Sequence, residues 1–493
     1  MEDKTDQIHV TSDSKILKQK GKHWKNIVKL DQNKGMVAIF FTISALWFIM
    51  MYYTVVPWIL GIPLHMNADL DLSAMTWFSV LLSLTSTLLW FVFQSTYLVV
   101  GKKIEKQQAL LIRNKRYTSP PLVTILIPAK NEESVIKRTI NSCLSQTYKN
   151  IEILVICHNC TDKTYEKAKS NDERVRPLVY NTKEAGKGIA LNYGVKNSRG
   201  EYLLILDSDG ILSRDFVANA MPLFDQGFAA VQGKISSSNR EYNLITKLLS
   251  LEGDMFSTPF MVVRHYLDKR TPLGGTGSIL KKETLEKIGG FSNALIEDFE
   301  LSFRFYRNKY RIGFASLSVV YDEKPGELPL MMRQRSRWVK GHFDLIKKKI
   351  PERTDLVGII YWLSPLFLTS GFFSIIVTST AILHYVLFET FPFKFTFVPI
   401  SLWFGVTVAS YSLQFIIVLK ELGLKKITYA AHIALLVPFS HYWYVCWLKS
   451  FFVKSWSTTK TTHGFIREHD IEILARDQRR KKAHETTSVG LIL

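Results

Sequence analysis

Residues Leu203–Gly210 read LLILDSDG. Four aliphatic residues run directly into two acids and a glycine. An unbroken aliphatic run that ends in turn residues fits a strand buried on both faces. Two more such runs lie upstream, LVTILIPA at 122–129 and IEILVIC at 151–157, with RVRPLVY at 174–180 as a third. Between them, NEESVIKRTINSCLSQTY (131–148), TDKTYEKAKS (161–170) and GIALNYGVKNS (188–198) place apolar residues at helical spacing. Strand and helix therefore alternate, which predicts an α/β domain with a mostly parallel sheet. Ligands of such sheets sit beyond the carboxyl ends of the strands, where Asp207 and Asp209 fall. In an extended chain, residues two apart point to the same side. The pair would then form a pocket of hard oxygens suited to Mg²⁺ or Mn²⁺, with the remaining positions left to water and phosphate.

The rest of the chain is basic and unevenly apolar. It has 493 residues and a formal charge of +20, from 63 Lys+Arg against 43 Asp+Glu. Residues 36–59 and 74–100 carry no charge, and 356–388, 395–419 and 427–448 are nearly as apolar. Each is long enough for a bilayer core, which takes about 20 residues. Lysines crowd the 1–35 tail, so the tail and the large polar segment after the second run are expected on the cytoplasmic side. Pro438 could break the last run into a re-entrant hairpin, or 356–388 could be two short spans, so the expectation is five to six spans. Lipid headgroups and topology account for the positive charge, and no nucleic-acid motif is present.

Further motifs gather around the acid pair. EAGKGIALNYG (184–194) sets Gly186, Lys187 and Gly188 before a helix, where backbone N–H groups and an ammonium suit a phosphate. TPLGGTGSILKKETLEKIGGF (271–291) supplies a glycine-rich turn, and IEDFELSFRFYRNKY (296–310) opens a helix with Glu297, Asp298 and Glu300. Helix-dipole compensation alone would explain those three acids. RQRSRWVKG (333–341) groups three arginines around Gln334 and Trp338, as in a basic helix on a membrane surface. Cys157 and Cys160 form a C-x-x-C, read here as small buried thiols rather than a zinc or redox site.

Taken in order, IPAKNEE (127–133), GKGIALNYG (186–194), DSD (207–209), GTGS (275–278), ED (297–298) and QRSRW (334–338) resemble the membrane-embedded, inverting glycosyltransferases of family 2. That group holds the cellulose, chitin and hyaluronan synthases and ceramide glucosyltransferase. The resemblance covers about 119–345, and SWSTTKTTHG (455–464) is similar to a gating loop of some relatives. It implies a GT-A-like nucleotide-sugar-binding domain joined to an α-helical multi-pass membrane domain. It implies Asp207 and Asp209 as metal ligands for Mg²⁺ or Mn²⁺, and Asp298 as the base. It implies donor contacts from Ala129, Glu132, His158, Lys187, Asp207, Gln334, Arg337 and Trp338. The acceptor side would be Gly275, Thr276, Gly277, Glu297 and Trp338. Relatives usually place an aspartate after the second strand to read the nucleobase. Here Cys157 or His158 stands there, so base recognition falls to His158 or Asn159, or the donor differs.

The implied partners are a nucleotide-sugar donor, a UDP-sugar in first place, a polysaccharide or lipid acceptor, and membrane lipids, with no nucleic acid. A growing polysaccharide is favoured, and a single transfer to a polyprenyl phosphate or ceramide-like lipid is the alternative. A transporter would account for the spans but not for a polar α/β segment of this size, and an inactive scaffold would not need Asp298. The expected organisation is a basic tail at 1–35, two membrane helices in 36–100 and a cytoplasmic catalytic domain at 119–345 ending in an interfacial helix. Three to four membrane segments follow in 356–453, and then a tail, 454–493. The expected location is the cell membrane.

Overall fold

The computed structural model describes residues 73–115, 118–348 and 442–453, with a few single residues between 387 and 439. The predicted spans 36–59, 356–388, 395–419 and the first part of 427–448 otherwise lie outside the described residues, as do both tails and the 455–464 loop. In chain order the elements are α1 (Ser73–Asn114), β1 (Val123–Ala129), α2 (Ile136–Leu144), β2 (Ile151–His158), α3 (Thr164–Ala168), β3 (Val175–Tyr180), α4 (Lys187–Asn197) and β4 (Tyr202–Ile205). Then come β5 (Ile211–Leu212), α5 (Phe216–Ala220), β6 (Ala230–Ser237), α6 (Leu244–Glu252), α7 (Thr258–Leu267), β7 (Ser278–Lys281) and α8 (Lys282–Lys287). The last are α9 (Glu297–Arg307), β8 (Ile312–Asp322), α10 (Leu328–Lys347) and α11 (Tyr442–Ser450). All lie in one unit, Met66–Leu436 with Tyr442–Leu493.

The aliphatic runs are strands because both faces of the sheet are covered. Ile125, Ile127, Ile153 and Val155 share a core with Ile136 and Ile140 of α2 and with Phe216 of α5. Their alternates Leu126, Leu154 and Ile156 share another with Ala190 and Leu191 of α4 and with Leu301 and Phe305 of α9. With period-two side chains and helices on both sides, the middle positions of these strands are aliphatic on either face.

The sheet order is β3-β2-β1-β4-β7-β6-β8-β5. The expected mostly parallel sheet is in fact mixed. β3, β2, β1 and β4 are parallel, as are β6 and β8, but β7 runs antiparallel to both β4 and β6, and β5 antiparallel to β8. The reason lies in the turn before β7. Gly277 N–H donates to Ile205 O at the end of β4 (2.8 Å), so β7 enters the sheet from that end and must run back along it. The helix expected from residue 131 begins only at Ile136, because Asn131 takes a left-handed conformation (φ 60°).

α1 holds the uncharged 74–100 stretch and continues past it. Tyr97, Val100 and Ile104 pack on Val262 and Val263 of α7. One turn on, the buried Gln108 amide donates to Phe314 O (2.6 Å) and accepts from Ser316 N–H (2.9 Å), fastening the helix to β8. Among the described residues no helix is long and apolar enough to cross a membrane.

The strand end opposite the acid pair is tied by one buried carboxylate. Glu152 accepts from Thr124 Oγ1 (2.8 Å), Arg176 Nη1 (2.5 Å), Arg199 N (3.0 Å) and Arg199 Nε (2.8 Å). Burial would raise its pKa, but these donors outweigh burial and hold it below 4.5. A carboxyl lowered on folding stabilises above its unfolded pKa, and that stability is lost as pH falls through the folded value. Glu152→Ala should therefore cost about 2 kcal/mol at pH 7. Thermal melts of the full chain should show the deficit shrinking as pH drops below 4.5.

Candidate active site

The site begins where β4 stops. The chain leaves the sheet after Ile205 and turns, with Gly210 N–H donating to Asp207 O (2.9 Å). Two side chains fix the turn from outside. Thr139 Oγ1 of α2 donates to Ser208 O (2.6 Å), and Asp207 N–H donates to Thr276 Oγ1 (3.1 Å). The acid pair is therefore on a tight turn and not on an extended strand, which corrects the same-side geometry expected from the spacing. The two carboxylates meet different partners. Asp207 Oδ1 faces Lys187 Nζ at 2.6 Å, whereas Asp209 Oδ2 accepts from Glu323 N–H at 3.3 Å. Glu323 is itself held by Arg138 Nη2 at 2.5 Å.

Lys187 gathers the rest. From the first turn of α4 its ammonium reaches Asp207, Glu297 Oε1 (3.2 Å) and Gly275 O (2.9 Å). Asp298, next along α9, accepts from Phe299 N–H through Oδ1 (2.8 Å). A Cβ on Gly275 would lie 3.0 Å from Asp298 Oδ2 and 3.4 Å from Lys187 Nζ, so the turn runs directly over both charges. Arg337 of α10 closes the group. Its Nη1 donates to Leu295 O (3.1 Å), and its charge is felt by Glu297, Asp298 and Asp207. Three acids and two bases from β4, α4, α9 and α10 thus converge on the turn 274–277. Sequence separation between them reaches 150 residues.

These charges set one another. Burial disfavours a charged Lys187, but Asp207 and Glu297 raise its pKa and keep it an ammonium. Burial, then the charge of Glu297, pushes Asp298 up to about 7, with Lys187 and the Phe299 N–H pulling the other way. Asp298 is therefore poised to take or give a proton near neutrality. Among the described residues, Arg337 Nε is buried with no hydrogen-bond partner. An orphaned guanidinium N–H beside this cluster suits an anionic ligand.

The glycine-rich turn owes its shape to Gln232, which the sequence did not single out. Its buried amide donates to Gly233 O (2.9 Å) and Thr276 O (3.0 Å), and accepts from Gly274 N–H (2.8 Å) and Ser278 Oγ (2.6 Å). Gly275 and Gly277 sit at φ +76° and +65°, where other residues are strained. Gly186 and Gly188 have a packing role. A Cβ at either would strike Asn293 Oδ1 (1.8 Å) or Ser292 O (2.1 Å).

The other predicted residues lie around this centre. Ala129 ends β1, and its carbonyl accepts from Cys160 Sγ (3.3 Å). Glu132 N–H donates to Thr164 Oγ1 (2.8 Å). The His158 ring stacks on Tyr180 (5.5 Å), and its Nε2 meets Thr182 Oγ1 (2.9 Å). Because that hydroxyl gives its proton to Glu184 O (2.7 Å), the ring nitrogen is the donor. Burial, then Lys130, holds the His158 pKa low, so the ring is neutral at pH 7. Asn159 also bonds Thr182, and the two side chains pin the loop that leads to Lys187. Gln334 and Trp338 lie half-buried on α10 with Arg337. Cys143, Cys157, Cys160 and Cys446 are all free thiols.

A model of the "glycosyltransferase like family 2" matches residues 120–341. "Probable glycosyltransferase YdaM" of Bacillus subtilis is 28% identical over 57% of this chain and 70% of its own. The β-monoglucosyldiacylglycerol synthase of Nostoc sp. is 30% identical over 47% of this chain and 52% of its own. The poly-β-1,6-N-acetyl-D-glucosamine synthase of Staphylococcus aureus is 25% identical over 45% and 55%. The match thus spans about half the length of these two synthases. The mannosyltransferase PcManGT of Pyrobaculum calidifontis, solved with GDP-Man and Mn²⁺, aligns at a TM-score of 0.48, with 17% identity over 77% of this chain and all of its own.

The charge cluster makes a prediction of its own. Lys187→Met leaves Asp207, Glu297 and Asp298 facing one another without their ammonium. It should cost about 1–3 kcal/mol, the figure being reduced because Asp207 is partly solvated. In thermal melts at pH 7, Lys187→Arg should recover most of the loss, and adding Asp207→Asn to Lys187→Met should recover part of it.

Proposed function

Because residues 120–341 belong to glycosyltransferase family 2, we propose that this enzyme is a membrane-bound, inverting glycosyltransferase. It transfers sugar from a nucleoside-diphosphate donor, UDP-linked in first place, to a growing polysaccharide. The observation that carries the proposal is the cluster at the carboxyl end of β4. It sets a base with a pKa near 7, Asp298, beside two cations, Lys187 and Arg337.

The residues divide the work as follows. Asp298 accepts the proton of the acceptor hydroxyl, which makes that oxygen a competent nucleophile. The oxygen forms its bond to the anomeric carbon as the bond to the diphosphate breaks on the opposite side, so the configuration inverts. Lys187 and the unpartnered Nε of Arg337 face the charge that grows on the leaving diphosphate. Asp207 and Asp209 would hold Mg²⁺ or Mn²⁺. The donor set fits, since both are hard oxygen ligands and Asp207 already binds a cation, the Lys187 ammonium, at 2.6 Å. Among the described residues no group of three acidic, histidine or cysteine side chains is placed to hold a metal, so water and the donor phosphates would be needed beside Asp207 and Asp209. The bound ion would neutralise diphosphate charge. The turn 274–277, Glu297 and Trp338 border the acceptor, and Ala129, Glu132 and the loop pinned by His158 border the nucleoside.

The uncharged stretches 36–59, 356–388, 395–419 and 427–448, which lie largely outside the described residues, support a multi-pass membrane domain. The lysines of the 1–35 tail support a cytoplasmic catalytic domain at the cell membrane. A second reading, one transfer to a membrane lipid, draws support from the relative named β-monoglucosyldiacylglycerol synthase.

The test is turnover of a panel of nucleotide sugars by the full chain in membranes, with Mn²⁺, Mg²⁺ or EDTA. One donor should be consumed, and EDTA should stop the reaction. Organic extraction of the labelled product then separates glycolipid from polymer. Asp298→Asn should lose about 10²–10⁴-fold in rate. Asp298 must be ionised to act, so wild-type kcat/KM should climb with pH to about 7 and then level, and the variant should lack that rise. If no donor is consumed with membrane lipids present, the proposal fails.

A further inference from the structure

A partly buried carboxylate, Glu252, lies away from the proton-accepting centre. Glu252 is the last residue of α6, where the helix passes through a π-type turn, Gly253–Ser257, into α7. Turns of this kind cost helix regularity and are found mostly where geometry is needed for function. Glu252 accepts hydrogen bonds from three side chains on two helices remote in sequence. Arg335 Nη2 of α10 donates at 3.1 Å. Tyr442 Oη of α11 donates across both oxygens (2.8 and 3.0 Å), and Trp443 Nε1 donates at 2.8 Å.

The Arg335 side chain is 9% exposed, and its guanidinium lies over two indole rings. The Trp338 ring is 4.2 Å away and the Trp443 ring 5.2 Å away. A guanidinium stacks well because it is planar and weakly hydrated. Among the described residues its Nε finds no hydrogen-bond partner, and the indole contacts and the Glu252 bond hold it. Trp338 follows Arg337 directly, on the helix that brings Arg337 to the acid cluster.

We infer that Glu252 is a positioning residue for the acceptor. It fixes Arg335, Arg335 fixes the face of Trp338, and the same carboxylate locks α11 to α10. This rests on the transferase proposal above, in which Trp338 borders the acceptor. Glu252 belongs neither to the donor site nor to the proton-transfer step. Losing it should therefore separate transfer from donor chemistry, leaving the sugar to be passed to water.

The experiment uses the full chain in membranes and the labelled nucleotide sugar that the wild type consumes. Two quantities are read: label entering lipid or polymer, and label released as free sugar. UDP affinity is measured in parallel by titration. Glu252→Ala should lower the ratio of transfer to hydrolysis about tenfold, with UDP affinity within twofold of wild type. Glu252→Gln keeps the bonds from Tyr442 and Trp443 but not the ion pair, and should fall between. Arg335→Lys keeps the charge but not the planar stack, and should repeat the Glu252→Ala pattern even if that variant folds poorly. An unchanged ratio in Glu252→Ala and Arg335→Lys overturns the inference. So does a parallel fall of transfer, hydrolysis and UDP affinity together with the melting point, which would mark a merely structural role. A wild type that neither binds UDP nor consumes any donor overturns the transferase proposal itself, and this inference with it.

Discussion

The ammonium of Lys187 is the constraint on which the centre of this molecule depends. It lies 2.6 Å from Asp207, 3.2 Å from Glu297 and 2.9 Å from Gly275 O, so one side chain joins the end of β4, the start of α9 and the glycine-rich turn. Without a cation there, the partly solvated Asp207 and the more buried Glu297 and Asp298 would face one another, and burying uncompensated charge is costly. With it, Asp207 and Glu297 each face an ammonium, while Asp298 is pushed up to about 7. The same arrangement that permits the acids to coexist thus leaves one of them able to exchange a proton near neutral pH.

The frame around that knot is built from uncharged hydrogen bonds with little freedom. Thr139 holds the carbonyl of Ser208, Thr276 holds the N–H of Asp207, and Gln232 uses both ends of its amide on the turn 274–278. Each of these groups is buried, where an unmade bond costs about 1–3 kcal/mol. The turn is therefore shaped before any ligand arrives, and a shaped site spends less of its binding energy on ordering. Further out, Glu252 does for α10 and α11 what Gln232 does for the turn.

Much of this was readable from the chain. β1, β2 and β4 announce themselves because both faces are buried, which leaves their middles almost wholly aliphatic. The acids at the tip of β4, the lysine opening α4 and the acids opening α9 were each visible, and the structure brings Asp207, Lys187, Glu297, Asp298 and Arg337 together. What escaped notice depends on distant partners. Gln232 meets residues 42 to 46 positions away, and Glu252 meets residues 83 and 191 positions away. A lone Gln or Glu carries no local pattern that reveals such a partner. The antiparallel course of β7 follows from where the glycine turn leaves it, and four residues give too little periodicity to show that. The turned geometry of Asp207 and Asp209 was missed because spacing alone suggested an extended strand, whereas Gly210 N–H closes a turn.

The central claim is that Asp298 drives an oxygen in from the side opposite the diphosphate. The most direct measurement is the configuration of the first-formed sugar. With an α-linked nucleotide sugar as donor, proton NMR recorded before mutarotation should show the β anomer, both in the transfer product and in sugar released to water. A first-formed α anomer would contradict the account, because it would require a double displacement or front-side attack that this single base does not support.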